Sequence, residues 1–208
     1  MVREPGGTPV GEQIRRLLLE SAPADLQMGP RTDALLFNAA RAQLVADVIE
    51  PALASGALVI CGRFADSTLA YQGYGAGLPL DALRALERFA TGGRTPDLTI
   101  LLDLPVEIGL ARKHGPEVTR FESDFDLAFH RRVRAGFLAL AAVEPERFVV
   151  LDGTAEPDFV QEAVLAAVLV RTGGWPSAVA GDQGTRTVLA SSLRDESEPQ
   201  GPVERIAR

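Results

Sequence analysis

Four groups of residues in this chain have the types and spacing to grip a ligand that carries both a ring and an anionic group. The first is Arg3-Glu4-Pro5-Gly6-Gly7-Thr8-Pro9, with Arg15 close behind it. Proline fixes φ, while the paired glycines admit positive φ and let the backbone approach a ligand closely. An ordinary surface turn would read the same way. The second is Phe37 with Arg41, four residues apart and therefore on one helix face. An aromatic ring beside a guanidinium can stack on a nucleobase and hydrogen-bond its edge, and stacking contributes about 1–3 kcal/mol per base. A core phenylalanine next to a surface arginine is the plainer alternative. The third runs from Gly62 to Gly73, directly after an apolar run. Arg63 there is a fork suited to phosphate, and Thr68, Tyr71 and Gln72 are neutral hydrogen-bonding groups suited to a base. Ligands of open α/β sheets bind beyond the carboxyl ends of the strands, though a structural loop is again possible. The fourth comprises Arg112, Lys113 and Arg120 around Gly115 and Pro116, a basic segment able to close over phosphates or to be a solvated loop.

The elements that must position these residues follow from periodicity. Amphipathic spacing predicts a helix over 11–20, a loop over 22–32, and a long helix capped by Asp33 that passes Pro51 and ends at Gly56. The apolar run 57–61 reads as a buried parallel strand, and 73–77 as a flexible glycine-rich loop. Further helices are expected over 80–89, stopped by Gly92 and Gly93, and over 106–112, 124–142 and 159–170. Buried strands are expected over 98–104 and 148–151. Strands alternating with helices indicate an α/β fold with a parallel sheet. Residues 1–170 read as one domain. Residues 171–208, rich in Gly, Ser, Arg, Glu and Pro, read as a disordered tail; a docked strand over 187–190 is the alternative.

Composition removes several function classes. The chain has 208 residues and a net charge of −7, so a global electrostatic footprint for nucleic acid is missing. Local arginines must meet any anion. Cys61 is the only cysteine, which precludes an intramolecular disulfide. No signal peptide and no membrane-length apolar run is visible. A soluble cytoplasmic protein, binding neither membrane nor nucleic acid, is the expectation.

In order and spacing the segments resemble bacterial thymidylate kinases, the P-loop enzymes that convert dTMP to dTDP with ATP and Mg²⁺. The resemblance covers about residues 2–170. It rests on the segment at 3–9, Leu-Phe-x-x-x-Arg-x-Gln at 36–43, Asp-Ser-Thr-Leu-Ala-Tyr-Gln-Gly at 66–73, Ala-Thr-Gly-Gly-x-x-Pro-Asp-Leu-Thr at 90–99, Leu-Leu-Asp-Leu-Pro at 101–105 and Arg-Phe-Glu at 120–122. It implies a nucleoside-monophosphate-kinase-like parallel sheet flanked by helices. Phe37 would stack on thymine. Arg41 and Gln72 would hydrogen-bond the base, with Thr68 and Tyr71 beside them. Arg15 and Arg63 would hold the phosphate of dTMP, and Glu4 and Pro5 would shape the pocket floor. Arg63, with Arg112 and Arg120 from a lid, would be catalytic. Homodimers are common in the family.

The pattern departs from the family in three places. The 208 residues contain no Gly-x-x-x-x-Gly-Lys-Ser/Thr, the loop that cradles ATP phosphates. The first strand, P-loop and first helix of the fold are thus missing from the sequence. That strand belongs between those at 57–61 and 98–104, and its absence is expected to open the middle of the sheet and leave strand edges unpaired. Gly62 stands where the family usually has an aspartate that helps hold Mg²⁺, so no metal ligand is present there. Asp103 ends an apolar run in the same manner, but reads as structural. Thr119 stands where an acid is common. Two functions follow: a thymidylate kinase in incomplete form, or a dTMP-binding relative without turnover. A scaffolding role would leave the polar pocket residues without purpose.

Overall fold

The computed structural model of the chain describes residues 1–19, 28–113, 119–123 and 125–174. The expected loop over 22–32 lies partly outside these residues. The segment around Gly115 and Pro116 and nearly all of the expected tail lie outside them entirely.

A short strand β1 (Val2–Arg3) opens the chain. The turn after it leads into α1 (Pro9–Leu19). Thr8 Oγ1 accepts the Gly11 N–H at 2.9 Å, satisfying a donor that the first helical turn leaves without a partner, and Pro9 follows where its missing N–H does no harm. Helix α2 (Pro30–Leu44) starts from Gly29, also with proline in its first turn. Asp33 is therefore not its cap, as the sequence suggested. It lies inside the first turn, buried against Arg120. A wide π turn over Val45–Ile49 joins α2 to α3 (Glu50–Ala54). In a regular α-helix the ring of Pro51 would strike the carbonyl of Asp47. The wider turn, closed by Glu50 N–H to Val45 O, carries the chain past it.

The apolar run after Gly56 behaves differently from expectation. Only β2 (Cys61–Gly62) is strand, paired in parallel with β1. Leu58 and Ile60 are nearly half exposed. Similarly, β3 (Thr99–Asp103) pairs in parallel with β4 (Phe148–Asp152), from Thr99 opposite Phe148 to Asp103 opposite Asp152. Leu102 and Val150 are also nearly half exposed. Among the described residues the strands form two separate two-stranded sheets, β1–β2 and β3–β4. β2 and β3 therefore belong to different sheets and do not pair with each other.

After β2 the chain turns into α4 (Ala65–Thr68), which widens at once into a second π segment, Leu69–Gly75. The flexible loop expected over 73–77 is thus helical as far as Gly75. Its glycines serve packing rather than mobility. A Cβ at Gly75 would lie 2.8 Å from Phe129 and Val133, and one at Gly136 would lie 2.6 Å from the Tyr74 ring. Phe129, Val133 and Gly136 are on α8 (Leu127–Val143), whose N-cap Asp126 accepts the Phe129 N–H at 2.7 Å. The remaining helices are α5 (Leu80–Thr91), ended by left-handed Gly92, α6 (Val106–Arg112), the short α7 (Arg120–Ser123) and α9 (Pro157–Thr172). No residue of α9 is buried, despite its apolar sequence.

The core is built mainly by helices. Ala34, Leu69, Leu83, Leu140 and Phe148 join α2, the π segment, α5, α8 and β4. A second cluster of Leu44, Val45, Ile49 and Phe64 lies under β1 and β2. No described helix is long and apolar enough to cross a membrane.

Two outcomes follow from this packing. Gly75→Ala should lower stability by about 1–3 kcal/mol through overpacking against α8, read as a lower urea midpoint. Glu87 on α5 is buried, and burial pushes its carboxyl up to about 8 from an ordinary 4.5. Arg41 and Arg84 oppose that shift, while Asp66 and Glu4 add to it. The folded protein keeps this proton to a higher pH than the unfolded chain does. Stability should therefore fall as pH rises from about 4.5 to 8. Glu87→Gln should flatten that fall in urea titrations at the two ends of the range.

Candidate functional site

The turn at Pro5 is held from both sides. Glu12 Oε1 accepts the Gly7 N–H at 2.8 Å, and Arg15 Nη1 donates to Pro5 O at 2.8 Å. Gly6 and Gly7 have φ of +135° and +81°, a conformation that a side chain would strain. This turn forms one wall of a cavity of about 340 Å³.

The cavity brings together Glu4, Pro5, Arg15, Phe37, Arg41, Arg63, Thr68, Tyr71 and Gln72. These come from β1 and its turn, α1, α2, and the segment from β2 through the π segment. Glu4 and Arg41 meet below it. Arg41 Nε lies 2.9 Å from Glu4 Oε2, and Arg41 Nη2 lies 2.7 Å from the same oxygen. Both side chains are almost wholly buried. The Arg41 guanidinium also donates to Asn38 Oδ1 and Thr68 Oγ1 at 3.2 Å, so all five of its N–H groups have protein partners. Burial pushes the Glu4 carboxyl above its ordinary range, with Arg41 pulling it back.

Arg63 has a φ of 69°, the left-handed region that non-glycine residues rarely occupy. Its guanidinium lies over the Tyr71 ring at 5.2 Å and donates to Tyr71 Oη at 3.4 Å. Burial lowers the pKa of Arg15, and the nearby charges of Arg3 and Arg63 lower it further. Glu12, which pairs with Arg3, opposes that shift. Arg15 and Arg63 are the two guanidiniums at the cavity, and together they favour an anion. Phe37 and Tyr71 face Phe121, with ring centroids 5.9 and 5.7 Å away. Gln72 is buried, and its Oε1 has no hydrogen-bond donor among the described residues.

The two lid arginines are placed differently from the expectation. Arg112 donates to Gly153 O at 2.8 Å and does not line the cavity. Arg120 is buried. It donates to Leu18 O and Asp33 Oδ1, both at 2.5 Å, and lies over the Phe121 ring. It ties α7 to α1 and α2, and so places Phe121 and Glu122 at the cavity. Lys113, expected in the basic segment, also lines the cavity, as do Leu19, Ser67, Thr119, Phe121 and Glu122, to which the sequence assigned no site role. Lys113 is the only lysine in the chain. It pairs with Glu122 at 2.5 Å. Burial raises the Glu122 carboxyl, but the bonds from Lys113 and Thr119 outweigh it and hold the group below its ordinary value. The Arg-Phe-Glu spacing was the available signal for Phe121 and Glu122.

Gly62 ends β2 beside this cavity's Arg63. A Cβ there would meet only ordinary contacts, at 3.8 Å from Arg3 and Val2, so packing does not require glycine. Asp103 is held by Arg134 through two bonds of 2.7 and 2.8 Å, which keep its carboxyl below its ordinary value. Among the described residues no group of three or more His, Cys, Asp or Glu is placed to hold a metal ion.

The fold and site thus combine parallel strand pairs with an aromatic-walled cavity that has arginines at its rim. Comparison with known proteins gives the family. A family model described as thymidylate kinase matches residues 1–164. The chain is 54% identical over 170 residues to the thymidylate kinase of Thermomicrobium roseum, covering 81% of this chain and 79% of that protein. It is 53% identical over 165 residues to that of Pseudomonas fluorescens, covering 79% and 77%. The crystal structure of thymidylate kinase from Ehrlichia chaffeensis superposes with a TM-score of 0.62 at 31% identity, covering 80% of this chain and 78% of that one. The chain belongs to the thymidylate kinase family.

Removing one partner of the buried pair tests how the site is held. Arg41→Met should destabilise the fold by about 3–5 kcal/mol, because the Glu4 carboxylate is left buried without a counter-charge. Glu4→Leu combined with Arg41→Met should recover much of that loss in chemical denaturation.

Proposed function

We propose that the cavity binds dTMP and serves the acceptor side of phosphoryl transfer from ATP to dTMP. The observation that carries this reading is Gln72. Its buried Oε1 lacks a donor, and an unsatisfied buried acceptor costs about 1–3 kcal/mol. The N3–H of thymine would supply that donor. Phe37 would stack on the ring, with Tyr71 and Phe121 completing the aromatic wall. Arg15 and Arg63 would hold the phosphate and neutralise charge that develops on it. Arg41 would act through Thr68 and Glu4, and would have to exchange one of its present bonds to reach the base.

ATP and Mg²⁺ are the family's co-substrate and metal. The residues described here fit the acceptor, not those two groups. The one lysine of the chain follows Arg112 and not a glycine, Gly62 offers no ligand, and Asp103 is engaged by Arg134. No catalytic step is therefore assigned to ATP or the metal. The same residues favour a second reading, a chain that binds dTMP without turnover.

Calorimetric titration with dTMP decides between a pocket and no pocket. Micromolar to submillimolar binding is expected. Phe37→Ala should weaken it by about tenfold or more, given the size of base–aromatic stacking. dUMP, lacking one methyl of about 0.8 kcal/mol, should bind about fourfold more weakly. A folded protein that ignores dTMP would remove both readings. Gly62→Asp in a chain given a Gly-x-x-x-x-Gly-Lys-Ser/Thr loop ahead of β1, assayed with ATP and Mg²⁺, should raise the rate of ADP release; an unchanged rate would mean that the acid is dispensable here.

A further inference from the structure

Besides the packing of Leu69 against Phe148, the cavity wall from Arg63 to Gln72 is tied to the β3–β4 sheet by a polar cluster that lies outside the cavity. Asp66, in the first turn of α4, is buried between two cavity segments. Its Oδ1 and Oδ2 each accept from Arg147 at 2.7 Å. Thr99, the first residue of β3, donates to Asp66 Oδ2 at 3.3 Å and accepts from Arg147 Nη1 at 2.8 Å. Arg147 precedes β4. Its backbone carbonyl accepts the Thr99 N–H at 2.8 Å, its Nε donates to Glu144, and its guanidinium lies 4.4 Å from the centre of the Phe148 ring. Burial lowers the Arg147 pKa, but the bonds to Asp66 and Glu144 outweigh it and raise the group further above its ordinary range.

We propose that Asp66, Thr99 and Arg147 form a positioning clamp that sets the orientation of Arg63, Thr68 and Tyr71 toward the substrate. β2 and β3 exchange no backbone hydrogen bonds, so strand pairing does not fix the cavity wall relative to β3–β4. The clamp does this with a planar fork. A bidentate guanidinium–carboxylate pair fixes direction as well as distance, and lysine cannot reproduce it. Asp66 is one residue from Ser67 and two from Thr68, both at the cavity. A small rotation there moves every polar group that faces the ligand. Displacements of about 1 Å are enough to weaken binding or turnover by up to about a hundredfold.

The clamp rests on the dTMP reading for its functional consequence, and the test separates the two. Arg147→Lys and Thr99→Val are mild enough to preserve folding. In each, dTMP affinity is measured by calorimetry and backbone hydrogen exchange is followed at residues 67–71. Arg147→Lys should raise the dTMP Kd about tenfold and speed exchange at 67–71 while the middle of α8 stays protected. Asp66→Asn added to Arg147→Lys should weaken binding little further, since both act through one interaction. A lower Tm with dTMP affinity and local exchange both unchanged would overturn the proposal. If the wild-type chain binds no dTMP, the substrate reading has failed instead. Exchange at 67–71 then decides alone, and unchanged rates there overturn the clamp.

Discussion

The buried ion pair of Glu4 and Arg41 is the constraint that organises the site. Two opposite charges lie almost fully out of water. That arrangement is tolerable only when the remaining polar atoms are also paired. Asn38 and Thr68 provide those partners. The pair therefore demands that the end of β1, the last turn of α2 and the end of α4 converge on one point. Once they do, Phe37 lies one turn away on α2, Tyr71 and Gln72 follow on the π segment, and the turn at Pro5 closes the floor. The cavity results from meeting the requirements of one guanidinium.

A second set of charges holds this centre in the molecule. Arg120 reaches from α7 to Asp33 and to the last turn of α1. Arg147 reaches from just before β4 to α4. Arg134 fastens α8 to the end of β3. Each is an arginine fork joining segments far apart in sequence. Helix packing supplies most of the apolar core. The strands are short and partly wet, because the two parallel pairs do not join into a single sheet.

Much of this was legible in the sequence for identifiable reasons. Helices announce themselves through apolar spacing and stop signals such as Gly92 after α5, whereas the caps Thr8 and Asp126 went unread and the first and eighth helices were placed two or three residues off. The cavity residues were legible because their order matches a family pattern, not because any single group was distinctive. The run at 57–61 was misjudged because an apolar segment reads alike whether or not a neighbouring strand covers it. The glycines at 73 and 75 were taken for mobility, although they make room for Leu80 and Phe129. Arg120 was placed in a lid because its ion-pair partner, Asp33, is 87 residues away, and no local pattern reveals such a pairing. The same holds for Asp66, whose engagement by Arg147 spans 81 residues.

The central claim is that one cavity, built around the Glu4–Arg41 pair, receives the thymine and phosphate of dTMP at once. A crystal structure with dTMP bound tests it most directly. The account requires the base against Phe37 with its N3–H on Gln72 Oε1, and the phosphate between Arg15 and Arg63. Nucleotide found elsewhere, or found in the cavity with the phosphate directed away from both arginines, would contradict it.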